Sequence, residues 1–182
     1  VYADRRVPEA ARKDKVLWGE CVSGALYVED FKREARAAGF EYPVHVAASP
    51  IEVNDADMRK LLGPARFYSV TFRLFKLPRG LLESCCEDYG QRATYRGTIA
   101  GSEGAYVLDA GHVFEAGRPT PVCGNTAAML GEGGHSWLAR HFDVEGDREV
   151  HFGAWGCGAG ARHPIGLTTV DKSAESSGGG GC

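Results

Sequence analysis

Hydrophobic and polar positions change period several times along this chain, and each change marks an element. Across residues 27–38, Val28, Phe31, Ala35 and Ala38 recur at helical spacing while Lys32, Arg33, Glu34 and Arg36 fall on the other side. This predicts an amphipathic helix with Gly39 as its left-handed stop. Residues 66–77 alternate instead: Tyr68, Val70, Phe72 and Leu74 share one face, and Phe67, Ser69, Thr71, Arg73 and Phe75 the other. That is the period of a strand. Upstream, Pro8 and Glu9 suit a helix start and predict a helix over about 8–18, broken by Ser23-Gly24. Between the amphipathic helix and the long strand, residues 44–53 read as extended, with Pro50 marking a bulge or an edge. Asn54-Asp55 then cap a short helix, Ala56–Leu62, which Gly63-Pro64 ends.

Pro78-Arg79-Gly80 punctuates the chain, and a boundary is expected between it and about Gly90. This gives three parts: 1–80, a small α+β part at 88–167, and a tail at 171–182. In the second part, 93–99, Ala105–Asp109 and His112–Glu115 read as short strands joined by glycine-containing turns, which suggests one small antiparallel sheet. Residues 125–130 and 136–142 read as helical, and 150–154 as a returning strand. The tail, Asp-Lys-Ser-Ala-Glu-Ser-Ser-Gly-Gly-Gly-Gly-Cys, has a composition that buries too little apolar surface to order itself.

Composition narrows the function. With 182 residues, 43% of them hydrophobic, the chain can bury a real core. Its 21 basic and 24 acidic residues give a net charge of -3, with no basic stripe. That argues against a nucleic-acid partner or an anionic membrane surface. No apolar run of membrane-spanning length and no export signal is visible, so a cytoplasmic location is expected. The six cysteines, Cys21, Cys85, Cys86, Cys123, Cys157 and Cys182, are irregularly spaced, which favours free thiols over a disulfide framework. No C-x2-C pair, H-x3-H pair or H-E-x-x-H helix is present, so no metal site is expected.

The segment 16–26, Val-Leu-Trp-Gly-Glu-Cys-Val-Ser-Gly-Ala-Leu, carries the chemistry. It places Cys21 beside Glu20, between an apolar run and a Gly-Ala joint, and it resembles the substrate-thiol segment of the arsenite S-adenosylmethionine methyltransferases. The opening Val1-Tyr2-Ala3-Asp4 resembles the strand before that segment, residues 40–77 resemble the closing strands of the same domain, and family-like patterning runs to about Gly158. The resemblance implies an α/β fold: the closing half of a Rossmann-like methyltransferase sheet, its last strand antiparallel, then a small α+β carboxy-terminal domain and a flexible tail. It implies methyl transfer from S-adenosylmethionine to thiolate-bound trivalent arsenic, with glutathione or thioredoxin as thiol reductant. It also implies that the cofactor loop and the other substrate cysteines lie upstream of Val1, so that this chain is a carboxy-terminal portion with no cofactor-binding residues, inactive in isolation. A non-catalytic, thiol-rich arsenic-binding module or an inert fragment is the alternative.

Trivalent arsenic is thiophilic, so thiolates hold it more strongly than oxygen or nitrogen ligands do. Cys21 is the expected catalytic residue and arsenic ligand, with Cys85 and Cys86 as further arsenic-binding thiols. Cys123 reads as structural, and Cys182 ends the tail without an assigned step. Gly156-Cys157-Gly158-Ala159-Gly160 has the form of a cofactor loop, but Arg162-His163-Pro164 follows where a long helix should begin, so it is set aside. The scattered histidines 45, 112, 135, 141, 151 and 163 read as surface or hydrogen-bonded side chains, and no G-x-S-x-G elbow points to a hydrolase.

Overall fold

A computed structural model describes residues 1–19 and 21–156; the Gly156–Gly160 loop as a whole, Cys157, Cys182 and the tail at 171–182 lie outside the described residues. In chain order the first part runs β1 (Tyr2–Ala3), α1 (Glu9–Arg12), α2 (Lys15–Gly19), β2 (Leu26–Tyr27), α3 (Val28–Ala37), β3 (Val44–Ile51), α4 (Ala56–Leu62) and β4 (Phe67–Arg73). Its four strands form one mixed sheet in the order β2-β1-β4-β3. The β1–β2 pair is parallel, and β4 runs antiparallel to both β1 and β3. This is the α/β arrangement expected of a closing Rossmann-like sheet.

The single helix expected over 8–18 is two. Asp14 interrupts it, because its Oδ1 accepts hydrogen bonds from the Val16 and Leu17 N–H groups at 2.9 and 3.0 Å and so starts a second helix. The strand at 66–77 ends at Arg73, whose guanidinium turns to the carbonyls of Val107 and Leu108. Pro50 sits on the edge strand β3 opposite Tyr68, where a missing N–H costs no ladder bond, and the bulge falls elsewhere, between His45 and Ala47. Along β4 the alternation holds: Phe72 packs edge-on to Tyr2 and against Phe31 of α3, with ring centroids 5.1 and 4.8 Å apart.

The second part runs β5 (Glu87–Asp88), β6 (Arg92–Tyr95), β7 (Ala105–Asp109), β8 (His112–Glu115), β9 (Pro119–Pro121), α5 (Gly124–Leu130), β10 (Phe142–Glu145) and β11 (Gly153–Ala154). Its strands do not make the one sheet that the pattern suggested. β6 lies between β10 and β9, while β7–β8 form a separate hairpin and β5–β11 a separate pair. The sequence does not predict β9, because it holds two prolines. They alternate along an edge strand, so both nitrogens face away from β6. β6 stops at Tyr95 rather than 99, since Gly97 turns at φ +69° and the chain folds back until the Ile99 N–H donates to the Tyr95 hydroxyl at 3.0 Å. Of the helix expected over 136–142, only a 3₁₀ turn, Trp137–Arg140, exists, and Phe142 opens β10 instead. The strand expected over 150–154 shrinks to Gly153–Ala154.

Among the described residues, buried apolar side chains gather in two clusters. One gathers Leu17, Val22, Leu62 and Phe67 beneath the first helices. The other centres on Tyr95, Phe114, Leu130 and Phe142 and also takes in Val44, Phe75 and Leu77. The two parts are therefore stitched together: the Ala110 N–H donates to the His45 carbonyl at 3.0 Å, and the Arg73 guanidinium stacks on the Tyr106 ring at 5.1 Å. Among the described residues no helix is long and apolar enough to cross a membrane.

Candidate functional site

Cys21 occupies the turn that ends α2. Its N–H donates to the Trp18 carbonyl at 3.1 Å, and the Val22 N–H reaches back to the Leu17 carbonyl at 3.3 Å. That pair of bonds is the Schellman helix stop, with the buried side chains of Leu17 and Val22 as its hydrophobic contact. The same two bonds end α3, from Gly39 to Arg36 and from Phe40 to Ala35, each at 2.8 Å. There the left-handed position is filled by Gly39 at φ +86°; at the end of α2 it is filled by Cys21 at φ +62°. Among the described residues Cys21 is the one non-glycine with positive φ, a conformation that strains any side chain with a Cβ. Cys21 is exposed, and its Sγ lies 4.0 Å from the Gly19 carbonyl. Trp18, 70% exposed, lies beside Gly24 on the same turn rather than over a buried thiol. Backbone strain and an accessible thiol thus coincide, a combination that packing alone does not require.

Cys85 and Cys86 sit in the segment between β4 and β5, half-buried. The Cys85 carbonyl accepts from Asn125 Nδ2 at 3.2 Å and the Cys86 carbonyl from the Trp155 N–H at 2.8 Å. Around them lies a polar network that gave no signal in the sequence, because its members are separated by up to 67 positions. Arg148 reaches Glu132 through two nitrogens at 2.8 and 3.0 Å and the carbonyls of Gly124 and Leu81 at 2.8 and 3.2 Å. It also lies 5.6 Å from the centre of the Tyr89 ring. Burial works against the Arg148 charge, but the hydrogen bond and charge of Glu132, with Glu83 behind them, hold its pKa above the ordinary value. Tyr89 donates to Glu83, and chiefly through that bond its phenol is pushed up, so it stays protonated. Gly124 leaves little room here: a Cβ would stand 3.0 Å from the Tyr89 ring and 3.2 Å from Glu83 Oε2.

Cys123 is buried, its Sγ 3.3 Å from Thr126 Oγ1. Among the described residues no three His, Cys, Asp or Glu side chains converge as a metal-holding group, so Cys21, Cys85 and Cys86 are not gathered into one three-ligand site. The connections β1–α1 and β3–α4 contain no glycine, so neither is a glycine-rich turn of the kind that approaches a pyrophosphate or adenosine closely.

Comparison with known proteins bears on these features. No family model matches the chain. An arsenite methyltransferase of Aquipseudomonas alcaligenes is 51% identical over 161 residues, 88% of this chain and 45% of that protein. The arsenite methyltransferases of Mus musculus and Homo sapiens are 42% and 37% identical, each over 71% of this chain and 33% of the relative. Among solved structures, the crystal structure of an arsenic(III) S-adenosylmethionine methyltransferase from Chlamydomonas reinhardtii superposes with a TM-score of 0.74 at 51% identity, covering 85% of this chain and 50% of that one. The chain spans about half the length or less of the relatives it matches. By sequence and by fold, it belongs to the arsenite methyltransferase family.

Proposed function

We propose that this chain is the arsenic-holding part of an arsenite methyltransferase, with Cys21 as a thiolate ligand to trivalent arsenic and a catalytic residue of the methyl transfer. The observation that carries the reading is the exposed Cys21 thiol on a left-handed helix stop. A glycine there would be less strained, so a side chain retained at that position is explained by what its sulfur does. The stop also fixes the Cα–Cβ direction, because two backbone bonds and the Leu17–Val22 contact hold the turn. Positioning is the main service the reaction needs, since arsenic bound to thiolates keeps a lone pair that can act as nucleophile.

Binding is a condensation. As(OH)3 and a cysteine thiol give an As–S bond, the oxygen leaving as water with the thiol proton. The thiol proton is displaced by arsenic, so no neighbouring base is needed. S-adenosylmethionine would supply the methyl group, and we place its site in the half of the family's length that this chain does not span. A thiol reductant, glutathione or thioredoxin, would restore the trivalent state between turnovers, and the setting would be cytoplasmic arsenic detoxification. Cys85 and Cys86 are further thiols for arsenic.

In this reading the 182-residue chain binds arsenic and does not methylate it. Alkylation of Cys21 by iodoacetamide should slow when arsenite is added, and incubation with arsenite, S-adenosylmethionine and glutathione should give no methylated arsenic. Unchanged alkylation would remove Cys21 as a ligand. Methylated arsenic formed by the chain alone would overturn the placement of the cofactor site.

A further inference from the structure

Asn125 is the second residue of α5, a helix buried along its whole length. Its side chain, in a residue only 4% exposed, is directed entirely to the segment that carries the adjacent cysteines. Oδ1 accepts from the Glu83 N–H at 2.7 Å, while Nδ2 donates to the Glu83 carbonyl at 2.9 Å and the Cys85 carbonyl at 3.2 Å. Both donors and the acceptor of the amide thus grip residues 40 and 42 positions away. A second route fastens the same pieces: Arg148 donates to the Leu81 carbonyl at the head of the segment and to the Gly124 carbonyl beside Asn125. On the far side the Cys86 carbonyl is tied to the Trp155 N–H. The carbonyls of both cysteines are therefore fixed, one from α5 and one from the residue after β11.

We infer that Cys85 and Cys86 form a preformed thiol site of their own for trivalent arsenicals, separate from Cys21, and that Asn125 is its positioning residue. This rests on the proposal above that these two cysteines bind arsenic. Two adjacent thiols closing on one arsenic atom form a ring that includes the peptide bond between them. In a mobile segment that closure must also order the backbone, whereas here the order is already present. An organic arsenous oxide, R–As=O, condenses with the two thiols to give R–As(S–)2 and one water. Two S–H bonds break, two As–S bonds form, the oxygen leaves with both protons, and no electrons are transferred.

The experiment uses the reduced 182-residue protein with phenylarsine oxide, read by native mass spectrometry and peptide mapping for wild type, Asn125→Ala and Asn125→Asp. Wild type should carry a ring-closed adduct bridging Cys85 and Cys86. Both variants should bind at that pair roughly tenfold more weakly and shift toward a one-thiol adduct, which is heavier by one water, while Cys21 alkylates at the wild-type rate. Asn125→Asp keeps the acceptor for the Glu83 N–H and loses both donors, so it reads the grip on the Cys85 carbonyl even if Asn125→Ala fails to fold. Equal ring closure in wild type and Asn125→Asp would overturn the role of Asn125 and leave the thiol site standing. No bridged adduct in wild type would overturn the thiol site itself.

Discussion

Replacing Cys21 by glycine should make the protein more stable. A left-handed residue with a Cβ costs roughly 1–2 kcal/mol, and glycine at Cys21 (φ +62°) removes that strain. Against this, glycine loses about 0.5–1 kcal/mol more conformational entropy on folding, leaving a net gain of about 0.5–1 kcal/mol. The thiol itself contributes little, since Cys21 is exposed and its hydrogen bond to the Gly19 carbonyl is long, at 4.0 Å. Cys21→Ala, which keeps the Cβ and the strain, should therefore lie within about 0.5 kcal/mol of wild type. Urea unfolding of the three proteins under reducing conditions provides the comparison, with equal slopes showing that the unfolded states match. In thermal scans the glycine variant should melt about 1–4 °C above the alanine variant. Equal stability of the two would refute the argument, because Cys21 would then carry no strain that needs a functional reason. Gly39, which ends α3 by the same pair of bonds, is the internal control: Gly39→Ala should lose about 1 kcal/mol or more.

Three other outcomes follow from particular contacts. Asp14→Ala removes the acceptor for the Val16 and Leu17 N–H groups and should cost about 1 kcal/mol, read in the same urea titrations. Gly124→Ala drives a methyl group into the Tyr89 ring and should cost about 1–3 kcal/mol, with a perturbed Tyr89 signal in near-ultraviolet circular dichroism. Burial raises the Asp109 carboxyl, but the His112 hydrogen bond and charge and the Gly111 N–H outweigh it, so its pKa lies below the ordinary value. Its stabilising contribution is thus complete above the ordinary carboxylate pKa near 4 and is lost as the pH falls through the lower folded value. Asp109→Asn should flatten that part of the acid-unfolding curve.

Local signals were legible where one element sufficed to express them. The helix over Ala56–Leu62 was fixed at both ends by Asp55, whose side chain caps Met58 N–H, and by Gly63, and it appears with those bounds. The hairpin strands Ala105–Asp109 and His112–Glu115 were equally plain, since each is short, alternating and bounded by glycine. What failed to show were features that depend on partners distant in sequence. β9 is a strand only because β6 offers it a ladder, and its prolines argue against it in isolation. The capping role of Asp14 was hidden by a helical pattern that continues through it. At the site, Cys21 was marked by its neighbours in the chain, but its left-handed backbone was not, because cysteine is not a residue from which that conformation is expected. Asn125, Glu132 and Arg148 carry no local signature, and their importance arises from where the fold brings the Cys85–Cys86 segment.

The central claim is that Cys21 gives a thiolate to trivalent arsenic, and ligand exchange with a preformed arsenic tris-glutathione complex tests it most directly. The Cys21 thiol displaces one glutathione, which leaves with the proton, so the protein gains arsenic and two glutathione groups. Native mass spectrometry with peptide mapping should find that adduct on the peptide containing Cys21 in wild type and should lose it there in Cys21→Ser. Absence of arsenic from that peptide in wild type, or its persistence there in Cys21→Ser, would contradict the account.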